Sequence, residues 1–256
     1  MEYLPFNIWA ILVLSLPVLF FIVYNFPWIT KYMSIKKFEL NLSGNSTLIV
    51  SDLHLSESSD PIEEISNFLN EKGIKNLVVA GDFIEYHRET SLDELRSFIS
   101  MGLKKIGLEK SELKVVYLTS LSSHDPIIRG EKVSIKYEDG PLVIVLRGYS
   151  RMFLDGHSFV VLHGDYSVRN GALAGFINFL ASILGKKLFL ERLLKRILRV
   201  ENDEWLIMGH THIPGIDEEN KVANCGSWSS HIGREMSKTG ILLESEADLT
   251  VKVVKF

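Results

Sequence analysis

Five short stretches carry side chains able to ligate a metal ion: Asp52-Leu53-His54, Gly81-Asp82, His124-Asp125, His163-Gly164-Asp165 and Gly209-His210-Thr211-His212. Carboxylates that can bridge two ions, together with several neutral imidazoles, form the donor set that divalent transition metals take. An isolated pair such as His210 and His212 reads most simply as a turn residue beside a boundary residue. In an extended chain, however, positions i and i+2 share a face, so the two rings point the same way. The other four stretches supply the partners such a pair needs.

Each stretch follows an apolar run: Leu48-Ile49-Val50, Val78-Val79-Ala80, Val115 to Leu118, Val160-Val161-Leu162 and Leu206 to Met208. Runs of this length read as buried strands. Between them, helical periodicity covers Pro61 to Glu71 and Leu92 to Lys105, so the first half alternates strand and helix. Shorter strands follow at Val133 to Tyr137, Leu142 to Leu146 and Phe159 to Leu162, and a closing pair at Ile241 to Leu243 and Leu249 to Val254. The pattern predicts an α/β fold of two sheets packed face to face with helices outside. Loops at the carboxyl ends of such strands gather on one edge, where ligands bind.

The 256 residues, 46% of them hydrophobic, suffice for one full domain plus a separate apolar segment. From Tyr3 to Thr30 no residue is charged, and the run is long enough to cross a bilayer. It starts with Glu2, lacks a small-x-small cleavage site and ends at Lys31, which fits an uncleaved anchor over residues 1–32 better than a signal peptide. Lys31, Lys36 and Lys37 lie beyond it, so the positive-inside tendency expects a single-pass protein of the cell membrane whose catalytic domain faces the cytoplasm. The lone Cys225 agrees with a reducing compartment. A linker with an edge strand is expected at 33–45, and the main domain at 46–256.

Residues 166–200 form an insert with seven Lys/Arg and one acidic residue, net +6 in a chain of net −4, so the remainder stands at −10. Leu190, Leu193, Leu194, Ile197 and Leu198 fall on one helical face opposite Arg192, Lys195, Arg196 and Arg199. Such a cap either packs its apolar face on the domain or lies on a membrane surface against an anionic, lipid-like substrate. A nucleic-acid partner is disfavoured, because the balance outside the insert is acidic.

Taken in order, the five stretches resemble the motifs of the calcineurin-like metallophosphoesterases, D-x-H, G-D, G-N-H-D, H-G and G-H-x-H, over residues 47 to 228. The resemblance implies a four-layer αββα sandwich of two mixed sheets and two divalent ions, manganese foremost, with iron, zinc, cobalt or magnesium as alternatives. It implies one ion held by Asp52, His54, Asp82 and His212. A second falls to Asp82, His163, His210 and the residue at the third motif's asparagine, with Asp82 as the bridge. That residue is Ser123, a shorter hydroxyl. His124 becomes the general acid or transition-state cation beside the leaving group, oriented by Asp125, while Asp165 is a candidate acceptor fixing a histidine ligand.

Within that superfamily, "SDLHL", "HGD", "GHTHIP" and "NCGSW" are most similar to the UDP-2,3-diacylglucosamine pyrophosphatases, which carry a helical insert at the place of 166–200. That branch usually has arginine where His124 stands and lacks an amino-terminal span. The implied function is hydrolysis of a phosphate ester or pyrophosphate bond in a nucleotide-linked or phosphorylated lipid. Two other readings stay open: a phosphodiesterase or phosphatase of the same fold acting on soluble substrates, and a catalytically weak membrane scaffold, supported by Ser123. His87, His157 and His231 belong to no motif and read as ordinary histidines. Cys225 reads as a small buried apolar residue, and Asn224, Gly226 and Ser227 as a loop beside the ions.

Overall fold

The computed structural model describes residues 6–31, 35–120, 124–230 and 235–256, with side chains from Ser15 to Ile29 and from Ile35 onward within those ranges. Among them the strands build two large sheets. One has seven strands in the order β15 (Leu249–Lys255), β14 (Thr239–Ser245), β2 (Ser46–Val50), β3 (Asn76–Ala80), β5 (Lys114–Leu118), β8 (Leu142–Leu146) and β7 (Lys132–Lys136). Its centre, β2, β3, β5 and β8, is parallel, and the flanking strands are antiparallel.

The second sheet has six strands in the order β1 (Lys37–Leu42), β9 (Tyr149–Leu154), β10 (His157–Val161), β11 (Trp205–Met208), β13 (Val222–Asn224) and β12 (Gly215–Asp217). Here β10, β11 and β13 run parallel to one another. A two-stranded ribbon of β4 (Glu89–Thr90) and β6 (Ile127–Ile128) stands apart.

Side-chain alternation along the strands sorts the core into layers. Ile49, Val78, Val116 and Ile144 of the first sheet meet Met152, Phe159, Val161 and Ile207 of the second. On the other face of the first sheet, Leu48, Val79, Val115 and Val143 pack with Ile65 and Leu69 of α3 (Glu63–Lys72) and Leu95, Ile99 and Leu103 of α4 (Leu92–Lys105). Val160, Leu206 and Met208 turn outward from the second sheet onto Leu194 of α6 (Phe189–Ile197). The result is helix, sheet, sheet, helix, the mixed α/β sandwich expected from the sequence.

The insert folds as α5 (Gly171–Ile183) followed by α6. Two of its charges leave the surface, one of each sign: Glu191 is buried, and Lys195 is buried with Nζ donating to the carbonyls of Glu204 (2.6 Å), Asn220 (3.0 Å) and Asn202 (3.2 Å). Ahead of the domain, α1 (Phe6–Asn25) leads into the short α2 (Trp28–Lys31). Among the described residues no helix is long and apolar enough to cross a membrane. The anchor expected over residues 1–32 lies partly outside those residues; within them, α1 exposes Leu16, Leu19, Phe20 and Phe21.

Candidate metal centre

The parallel strands deliver their carboxyl ends to one place. β2 leads to Asp52 and His54, β3 to Asp82, β5 toward His124 and Asp125, β10 to His163, and β11 to His210 and His212. Backbone bonds stitch the loops together: Asp52 N donates to Gly81 O at 3.2 Å, His54 N to Asp82 O at 2.9 Å, and Gly209 N to His163 O at 3.0 Å. Across the two sheets, His210 N donates to Asp52 Oδ2 at 2.9 Å.

Five of the convergent residues sit in the left-handed backbone region: Asp52 (φ 56°), His54 (49°), Asp82 (50°), His210 (67°) and His212 (56°). Asp and His tolerate it better than most residues, yet a run of such positions costs on the order of 1 kcal/mol or more each and marks a constrained site. Donor atoms of Asp52, His54 and His212 all lie within 4.8 Å of one another, as do those of Asp52, Asp82 and His163, and those of His54, Asp82 and His124. Ser123 lies outside the described residues, as does His231.

Hydrogen bonding on the far side of each ring decides which nitrogen faces inward. His163 Nδ1 is 2.9 Å from Ala80 O, and His210 Nε2 is 2.7 Å from Val168 O, so each of those nitrogens carries a proton. That leaves His163 Nε2 and His210 Nδ1 facing one another at 3.1 Å, two lone pairs if both rings are neutral. A proton shared between them, or a metal ion bound by them, relieves the juxtaposition. Asp52 Oδ1, fully buried, has no hydrogen bond of good geometry and lies 3.0 Å from His212 Nε2. These donors fit a divalent ion.

The electrostatics express the same demand. Burial opposes charge on Asp52 and Asp82, but His212 beside the first and His163 beside the second hold Asp52 below and Asp82 well below the usual carboxylate range. Burial likewise opposes charge on His163, yet Asp82, Asp52 and Asp165 outweigh it and raise that imidazole well above its ordinary value. His210 moves down, through burial and the neighbouring His163. A proton on His163 thus occupies the role that a metal ion takes over, since metal binding expels protons from its ligands.

The resemblance gave Asp125 the task of orienting His124. In the structure the hydrogen bond to His124 is made by Glu85, whose Oε1 is 2.5 Å from His124 Nδ1 while its Oε2 is 2.8 Å from His54 Nδ1. Asp125 instead accepts from the backbone of Asp82 (2.9 Å), Phe83 (3.1 Å) and Ser120 (2.6 Å) and from the Tyr117 hydroxyl. Burial and the charge of Asp82 push its carboxyl up to about 6. The carbonyls of Ala80 and Val168 accept from His163 and His210. Cys225 is buried, and Arg129 pairs with Glu89 at the surface.

Close approach depends on glycine. Gly81 has φ +84°, and a Cβ there would run into the His163 ring. Gly81→Ala is expected to cost about 3 kcal/mol from backbone strain and overpacking. Gly44→Ala, at φ +77° with open space around it, bears the strain alone. Melting curves of the two variants separate the terms, and equal losses would contradict the packing argument.

Against known proteins, no family model matches the chain and no curated protein does. Among solved structures, Vps29 from Entamoeba histolytica complexed with zinc is 15% identical, covering 82% of this chain and 98% of that one with a TM-score of 0.42. A phosphoesterase from E. coli is 15% identical, covering 78% and 88%, TM-score 0.40. An archaeal phosphodiesterase is 14% identical, covering 82% and 99%, TM-score 0.36. Likenesses this distant carry no argument about function, so the site must speak through its own geometry.

Proposed function

We propose that the protein is a calcineurin-like metallophosphoesterase that hydrolyses a phosphate ester or pyrophosphate bond with two divalent ions. The observation that carries this is the inward-facing pair His163 Nε2 and His210 Nδ1 at 3.1 Å, beside two buried carboxylates. When bound, the ions neutralise phosphate oxygens and activate a water. Asp82, with Oδ2 3.6 Å from His54 Nε2 and 3.4 Å from His163 Nε2, would be the carboxylate shared by the two ions. His124, 38% exposed at its side chain and held through Nδ1 by Glu85, presents its other nitrogen to a leaving-group oxygen.

For the substrate we propose a nucleotide-linked or phosphorylated lipid, and for the chain attachment to the cytoplasmic face of the membrane through α1. The support is apolar surface: α1 exposes Leu16, Leu19 and Phe20, and α5 exposes Phe176, Phe179, Leu180 and Ile183, followed by exposed Leu184, Lys186 and Lys187. The full chain, purified in detergent and loaded with manganese, is to be assayed on a lipid-linked nucleoside diphosphate, a cyclic nucleotide and bis(p-nitrophenyl) phosphate. Chelator-sensitive hydrolysis with kcat/KM at least tenfold higher on the lipid is expected. Equal rates on the soluble substrates would remove the lipid, and absent metal uptake with no hydrolysis would remove the enzyme.

A further inference from the structure

The insert carries one acidic residue, and it is not on the surface. Glu191 of α6 is fully buried, and among the described residues no ion pair reaches it. Its Oε2 accepts from Asn178 Nδ2 of α5 at 2.8 Å, and its Oε1 accepts from Thr211 Oγ1 at 3.0 Å and Asn224 Nδ2 at 2.8 Å. Burial raises its pKa, and the three donors oppose that rise.

Thr211 is the residue between His210 and His212. Asn224 Nδ2 also reaches Gly209 O at 2.7 Å, so the turn that presents the two imidazoles is held at Gly209 and at Thr211 by one carboxylate and one amide. A strained turn persists only where its surroundings over-determine it. On the other side, His210 Nε2 is held by Val168 O, at the root of the insert.

We infer that Glu191 is a positioning residue: through Thr211 and Asn224 the helical insert sets where His210 and His212 place their nitrogens, so the insert is a structural part of the metal centre. This rests on the metal reading of the site. Outer groups that orient metal ligands typically contribute 10- to 100-fold in affinity.

Glu191→Gln keeps the shape but offers an NH2 where an oxygen must accept, from Asn178 at one end or from Asn224 and Thr211 at the other. Cobalt(II) affinity is expected to fall at least about tenfold, with a changed visible absorption spectrum. Adding Asn178→Asp supplies an acceptor for that NH2 and is expected to restore both. Leu194→Ala, a core truncation on the same helix, is expected to lower the melting temperature and leave affinity and spectrum unchanged. An unchanged spectrum in Glu191→Gln, or an equal affinity loss in Leu194→Ala, would overturn the inference. Hydrogen exchange of the 209–212 amides without metal is expected to speed up in Glu191→Gln. Should the wild type take up no cobalt, the metal reading falls, while this exchange comparison still decides whether Glu191 holds the turn.

Discussion

Asp82→Ala is expected to abolish metal uptake and to lower turnover by on the order of 10³-fold or more. Asp82 belongs to two of the three donor groups, and its Oδ2 lies within 3.6 Å of imidazole nitrogens from both sides of the site. Asp52 also belongs to two of the groups, but Asp82 alone joins the group that contains His124 to the one that contains His163, so its loss is not made good by Asp52. The consequence for stability differs between metal-free and loaded protein. Without metal, the variant loses the attraction of His163 and puts alanine in a left-handed position, so its melting temperature is expected to start lower than that of the wild type. With metal at a hundred times its dissociation constant, the wild type gains about 2.7 kcal/mol, and the variant gains none. Melting curves with and without manganese therefore measure the bridge directly. A variant that still shifts on loading, or still hydrolyses substrate, would remove Asp82 from the centre.

What the sequence made legible follows from how local each signal is. The ligand candidates were readable because each stands directly after an apolar run, and a strand's end fixes where its next residues go. Glu85 was not: in Gly81-Asp82-Phe83-Ile84-Glu85-Tyr86-His87 it looks like a loop carboxylate, and only the fold brings it between His54 and His124. Strand β9 was missed although Ser150, Met152 and Leu154 alternate inward, because Arg151 and Ser150 disguise a strand that becomes buried through β1 and β10 on its two sides. The three-residue strands β12 and β13 exist through their pairing and are too short for any periodicity. The insert's net charge was legible but its distribution was not: the Lys195 ammonium is bonded to backbone carbonyls and the one acidic residue faces inward, two burials of opposite sign that cancel.

Asp125 is where resemblance and structure diverge most, and its substitution separates them. The carboxylate gathers the amides of Asp82, Phe83 and Ser120 and the hydroxyl of Tyr117 at a fully buried point. Asp125→Ala strands four donors, each costing about 1–3 kcal/mol if left unsatisfied, although relaxation and entering water recover part of it. A net loss of about 4 kcal/mol is expected, which for a chain of this size lowers the melting temperature by roughly 10 °C. The metal site suffers with it, because the Asp82 amide is one of the four, so the left-handed turn that aims the bridging carboxylate loses its outer support. If Asp125 served chiefly to orient His124, its removal would slow turnover and leave the melting temperature and metal affinity untouched. A combined fall in stability and affinity is what the observed hydrogen bonds require, and its absence would return the orienting role to Asp125.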